Sequence, residues 1–308
     1  MSTESAVSTE SAVSTGHSAT QSRLQEVAAR LSEISRRNSY NPYELFEWPD
    51  SLPATEYWMA PELMTCYGTP VWSELTEGQR LTLSQWEAVN FFSLNVHLIR
   101  ELIGEVANRI YETRFPGLSD FFHDFISEEN KHMWFFATFC LRYGGKVYPS
   151  TQLTSAASPA EYVLRDVMVF GRILIAEELC DAFNMRMGED RRLPALVQQI
   201  NLVHHHDESR HIAFGRQMMR ALCDQAASLT GDNGLRAVGD YLRRYSAICL
   251  QSFYNPAMYA DAGIEGGRRL RARLLEDPAR KQVHRDLMDR TTTFLERLGL
   301  GSADAVAP

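Results

Sequence analysis

The stretch Asn201 to Gly215, NLVHHHDESRHIAFG, places His204, Glu208 and His211 at spacings of four and three residues. At 3.6 residues per turn these side chains share one helical stripe, so a single face presents two imidazoles and a carboxylate. A shorter copy of the pattern, Glu129 to His132 within EENKHMWFF, lies upstream. Two Glu-x-x-His units in one chain constrain the fold strongly. They meet at one site only if two long helices face each other with their acids inward, and burying such acids without metal or partners costs about several kcal/mol each. Two-metal carboxylate bundles meet that cost by taking a Glu-x-x-His from each of two helices and one further Glu from each of two others.

Four long apolar-periodic segments are available for such a bundle. They cover about 80–113, stopped before Pro116-Gly117; 119–143, ended by Gly144-Gly145; 160–187, broken by Gly188 and Asp190; and 193–229, closed by Thr230-Gly-Asp-Asn-Gly. Further helices are expected near 235–254 and 267–298. A polar-faced helix over 22–37 carries Leu24, Val27, Leu31 and Ile34 on one side. Between it and the bundle, 40–67 contains Asn-Pro, Trp-Pro, Leu-Pro and Ala-Pro pairs and predicts an extended arm wrapped around the helices. Residues 1–20, which read STESAV twice, predict a disordered tail. The remainder, 21–308, is expected to be one helical domain with its metal-bearing bundle at about 80–229. The 44% hydrophobic content supports a core of that size.

The formal charge of -8 offers no basic face for nucleic acid. Cys66, Cys140, Cys180, Cys223 and Cys249 form no Cys-x-x-Cys pair, which fits a reducing, cytoplasmic setting and excludes an iron-sulfur framework. No apolar run is long enough for a membrane span, and no Gly-x-Gly-x-x-Gly turn offers a flavin or nicotinamide site, so electrons are expected from a separate donor. Apolar helix faces left over make a homodimer plausible.

The candidate ligands follow the bundle order: Glu101 in LIRELIGEV, Glu129 and His132, Glu177 in LIAEELC, then Glu208 and His211. Glu105 and His97 lie one turn either side of Glu101. Glu178, about 100° around the helix from Glu177, is a rival to it. His204 reaches the same metal as a third imidazole or belongs to the exposed His204-His205-His206 run. Asp207 and Glu128 are candidates for accepting the outer N–H of the imidazole on the opposite helix, a role that fixes the tautomer of a ligand. Phe91, Trp134, Phe135, Met168, Phe170 and Phe214 are candidates for walling a flat substrate pocket.

The combination His-x-x-x-Glu-x-x-His with an upstream Glu-x-x-His resembles the p-aminobenzoate N-oxygenases, the non-haem di-iron enzymes of aureothin and chloramphenicol biosynthesis. The matching stretches are RELIGE, DFISEENKH, FGRILIAEE and HHHDESRH. The resemblance implies seven ligands, Glu101, Glu129, His132, Glu177, His204, Glu208 and His211, around two iron ions, with manganese as a substitute. It also implies dioxygen as co-substrate and a small amine, free or carrier-bound, as the molecule oxidised. The expected architecture is all-α, a ferritin-like four-helix bundle with extra N- and C-terminal helices. A C–H oxidase, a ferritin-like iron oxidase, and a His-Asp metal-dependent phosphohydrolase built on His123-Asp124 and His206-Asp207 are the rival readings.

Overall fold

The structure, a computed structural model, describes residues 4–150 and 161–301, with side chains from residue 19 onward apart from 231 and 232. Among the described residues the regular structure is entirely helical. The bundle is made by α4 (Glu77–Ala107), α5 (Ser119–Tyr143), α6 (Tyr162–Glu189) and α7 (Ala195–Ser252), preceded by α1 (Glu4–Arg37), α2 (Pro42–Leu45) and α3 (Pro70–Glu74). After the bundle come α8 (Pro256–Asp261), α9 (Gly267–Glu276) and α10 (Pro278–Arg297).

Local chemistry sets these limits. Thr76 opens α4 with a capping box: its hydroxyl accepts from Gln79 N while the Gln79 side chain accepts from Thr76 N at 2.9 Å. Gly144 and Gly145 end α5, and Gly145 adopts φ 68°. The single helix expected over 267–298 is two, because Pro278 cannot continue the ladder and Asp277 caps the second helix by accepting from Ala279 N.

Packing contacts give the helix directions. Phe92 of α4 packs on Phe136 and Phe139 of α5, while Val106 shares a small cavity with Phe122 and Phe125, so the two helices are antiparallel. Phe91 of α4 stacks on Phe183 of α6, and Leu102 faces Ile173, which makes α6 antiparallel to α4 as well. Thus α5 and α6 run in the same sense, which requires a crossover connection of the ferritin type. On α7, Arg216 pairs with Glu178 and His204 with Asn184, so α6 and α7 are antiparallel.

The fourth bundle helix does not stop at the glycines near 230. It runs unbroken through Ala195–Ser252 and absorbs the separate helix expected over 235–254. Gly234, and Gly239 beyond it, serve close approach: a Cβ at Gly234 would meet Leu164 Cδ1 at 2.9 Å, and one at Gly239 would meet the Leu300 carbonyl oxygen at 2.1 Å. Tertiary packing here offsets the roughly 1 kcal/mol that each glycine costs a helix. At the other end, α1 starts at Glu4, within the repeat expected to be a disordered tail. Its described apolar face, Leu24, Ala28 and Leu31, is buried, and it lies along α5 and α7. The expected arm over 40–67 is interrupted by α2 and by a short 3-10 turn at Pro61–Leu63, and it lays Phe46, Trp48 and Trp58 on the outer face of α5. No helix among the described residues is long and apolar enough to cross a membrane.

Candidate metal centre

Six side chains from three helices converge inside the bundle. Glu129 and His132 come from α5, Glu177 from α6, and His204, Glu208 and His211 from α7, all buried. They form two donor groups. His132, His204 and Glu208 make one, and Glu129, Glu177, Glu208 and His211 make the other, with donor atoms in each within 4.8 Å of one another. Glu208 belongs to both, as a carboxylate bridging two ions would.

Atoms that aim inward lack hydrogen-bond partners. Glu129 Oε1, both oxygens of Glu177, Glu208 Oε2, His132 Nδ1, His204 Nε2 and His211 Nδ1 are buried and unsatisfied. Native interiors rarely leave so many polar atoms unpaired. His204 Nε2 lies 3.0 Å from Glu208 Oε1, and His211 Nδ1 lies 2.8 Å from Glu129 Oε1. Imidazole nitrogens and carboxylate oxygens are the donor types that divalent iron and manganese accept. These residues therefore fit a pair of ions.

The outward atoms of the same imidazoles are tied down. His132 Nε2 is 2.9 Å from Asp207 Oδ2, and His211 Nε2 is 3.0 Å from Glu128 Oε2. Each histidine is held by an acid from the opposite helix, leaving Nδ1 free for metal. Arg210 spans both acids, donating to Glu128 Oε1 at 2.5 Å and Asp207 Oδ1 at 2.6 Å. Tyr40 from the arm donates to Asp207 at 2.9 Å, and Ser35 of α1 donates to Glu128 at 3.2 Å. His204 Nδ1 lies 2.5 Å from Asn184 Nδ2, and the oxygen of the same amide, Oδ1, has no partner, which favours the flipped amide. With that oxygen turned to the ring, Nδ1–H donates to it and Nε2 stays free.

Charges follow the geometry. Burial, then the neighbouring Glu208, raises Glu177 well above the usual carboxylate range. Burial would raise Glu208 too, but His204 and His211 hold it well below that range. Burial works to lower His132, yet Glu129 and the bond to Asp207 push it up to about 9. Asp207 is depressed against its own burial by His132 and Arg210.

Glu101 is not brought to this centre. On α4 the interior direction lies between Phe91, which meets α6, and Phe92, which meets α5; one turn on, Asn95 takes that direction. Glu101 is displaced around the helix into the α4–α6 groove and accepts from Arg172 at 2.9 Å. Glu105 pairs with Arg109, and His97 Nε2 contacts the Tyr148 carbonyl at 2.7 Å. Glu178 accepts from Arg216 and Thr291, away from the donor groups. His123 faces Tyr111 at the surface, so the His123-Asp124 doublet is remote as well.

The aromatic candidates divide. Phe170 and Phe214 join Phe121, Phe122 and Phe125 around a cavity of about 10 Å³ that touches Glu177 and His211. That space holds one water-sized molecule and no organic substrate. Phe135 packs against His132 with ring centroids 5.5 Å apart. Trp134 lies on the outer face of α5 against Tyr43, and Phe91 packs against Phe183 and Phe253, which stack on each other at 4.6 Å. Met168 is core and lines neither cavity. None of the six lines a cavity of about 560 Å³ that opens between α4, α6 and the end of α7. Leu94 and Leu98 of α4 and Ala176, Leu179 and Cys180 of α6 line it, as do Arg268 and Arg271. Tyr40, Ser35 and Asn184 carried no spacing signal in the sequence, because their roles depend on how separate elements dock.

Fold and donor set together define a ferritin-like carboxylate-bundle protein. The family model described as P-aminobenzoate N-oxygenase AurF matches residues 21–299, and the chain belongs to that family. It is 23% identical over 205 residues to uncharacterised proteins of Mycobacterium tuberculosis and Mycobacterium bovis, a match that spans 63% of this chain and 60% of theirs. Two solved variants of an R2-like ligand-binding oxidase with an aerobically reconstituted Mn/Fe cofactor share the fold. Their TM-scores are 0.56 and 0.51 at 14% and 13% identity, covering 88% and 84% of this chain and 93% and 92% of those.

Proposed function

We propose that the chain is a dioxygen-dependent N-oxygenase of a small amine, an arylamine by preference, whose two irons would be held by Glu129, His132, Glu177, His204, Glu208 and His211. The observation that carries this reading is the third imidazole: His204 is buried, its Nε2 faces Glu208 at 3.0 Å, and it joins His132 and Glu208 in one donor group. A plain Glu-x-x-His bundle lacks that residue. Bound iron supplies activation of dioxygen. Placing the first oxygen on nitrogen consumes one dioxygen, two electrons and two protons and releases one water, so an external electron donor is part of the proposal.

The chain's own residues prepare the site. Asp207 and Glu128 fix the tautomers of His132 and His211, and Arg210 keeps both acids ionised. The phenylalanine cage beside Glu177 and His211 excludes bulk water. The cavity between α4, α6 and the end of α7 is of the size that takes small organic molecules. A phosphohydrolase reading requires Asp207 as a ligand, but both of its oxygens are engaged by His132, Tyr40 and Arg210. A C–H oxidase would use the same ligands and differs only in product. Anaerobic iron loading followed by oxygen and a panel of arylamines tests the proposal: hydroxylamine, nitroso or nitro products support it, and hydroxylated carbon with intact amine refutes it.

A further inference from the structure

The chain carries a formal charge of -8, yet five arginines line one cavity of about 600 Å³. Arg23 comes from α1, Arg216 and Arg220 from α7, and Arg290 and Arg297 from α10, so three separate helices contribute. Arg216 and Arg220, one turn apart, both sit over the Phe294 ring, 4.7 and 5.1 Å from its centroid. Like charges at that spacing on a helix repel. Partial desolvation, then Arg216 and Arg23, lower the Arg220 guanidinium below its usual value.

Few acids answer this charge. Asp224 and Asp289 also line the cavity, and Glu178 accepts the Nε–H of Arg216 at 2.6 Å. Asp224 already accepts from Thr20 at 3.3 Å. Five arginines thus face three acids. Arg216 Nη2 is buried with no hydrogen-bond partner, and Arg23, Arg220, Arg290 and Arg297 form no ion pair with any described acid. A buried N–H left unpaired is costly, and an anion supplies its acceptor. The excess of positive charge matches a dianion, and the planar guanidinium fork matches the oxygens of a phosphate in pairs. The volume exceeds what one phosphate group fills and lies in the range of small-molecule sites. These N–H groups line a cavity and not a flat face, which favours a small ligand over an acidic protein.

We propose that the cavity between α1, α7 and α10 is a binding site for a phosphate group, carried by a small phosphorylated molecule or free in solution. Arg216 and Arg220, held on Phe294, bind the phosphate oxygens, and Arg23, Arg290 and Arg297 supply the surrounding positive field. None of the six metal-donor residues lines this cavity, so the site stands whether or not the chain oxygenates an amine.

The test is calorimetric titration of the full chain, in buffer free of phosphate and sulfate at fixed chloride, with inorganic phosphate, pyrophosphate and adenosine monophosphate. At least one of the three should bind saturably, one per chain. Tighter binding of pyrophosphate or the nucleotide than of inorganic phosphate supports a phosphorylated small molecule as the source, and equal or tighter binding of inorganic phosphate supports the free ion. Arg220→Gln with Arg290→Gln should weaken the binding by about tenfold or more, at unchanged Tm and iron content. Should that variant fail to fold, Asp289→Asn, which removes an opposing charge at an exposed position, should tighten the binding. Absence of saturable binding by all three ligands overturns the proposal, as does undiminished binding in the folded double variant or weaker binding in Asp289→Asn. Binding of polyglutamate with no response to any of the three also overturns it, in favour of a docking face for an acidic protein.

Discussion

His132 Nε2 of α5 is bonded to Asp207 Oδ2 of α7 at 2.9 Å, and the reciprocal pair, His211 of α7 with Glu128 of α5, closes at 3.0 Å. The two helices that carry the Glu-x-x-His units thus exchange supports across the metal site. Removing the acid from one pair frees the ring to rotate and lowers its basicity as a ligand. Asp207→Asn should therefore weaken iron binding by about 10–100-fold with the fold intact, as measured by competition with a chelator.

Metal stoichiometry separates the roles of the acids. Glu208 belongs to both donor groups, so Glu208→Gln should lose both ions, whereas Glu177→Gln should lose chiefly the one bound with His211. Glu101→Gln should keep both, because its carboxylate serves Arg172. Elemental analysis of the three purified variants reads the difference directly.

Gly239 tests the long α7 helix. In an exposed helix, glycine to alanine stabilises by up to about 1 kcal/mol, but here the new Cβ would meet the Leu300 backbone oxygen at 2.1 Å. Gly239→Ala should instead lower stability, by about 1–3 kcal/mol in denaturant titration. A gain in stability would show that the C-terminal segment does not pack there.

Glu87 gives a pH signature remote from the metal ligands. Burial raises its carboxyl to about 7, although the Thr65 amide and hydroxyl donate to it. The folded protein then binds this proton more tightly than the unfolded chain does. Its contribution to stability is full below the unfolded value, near 4.5, and declines as pH rises to about 7. Glu87→Gln should flatten that decline, so Tm of variant minus wild type should rise with pH across this window.

Helical periodicity and the two Glu-x-x-His units were enough to read an all-α bundle, and α5 begins and ends where the sequence places it, at Ser119 and Tyr143. Those signals are local and repeat along one element. The unbroken α7 was hidden because the glycines that normally end helices here admit Leu164 and the Leu300 carbonyl, contacts between distant segments. Glu101 misled for a related reason: a glutamate at plausible spacing on an apolar helix does not reveal which way it faces. Only the packing of Phe91 on Phe183 and Phe92 on Phe136 sets that direction and gives it to Asn95. The stripe shared with Phe170, Leu174 and Asp181 favoured Glu177 over Glu178, and Arg216 and Thr291 take the second.

The central claim is tested most directly by exposing the anaerobically iron-loaded chain to isotopically labelled dioxygen with a reductant and a panel of arylamines, then weighing the products. Two irons per chain are expected, one for each donor group, with labelled oxygen on the amine nitrogen and both iron and product diminished in His204→Ala. Full iron loading with oxygen consumed and every amine recovered unlabelled would contradict it.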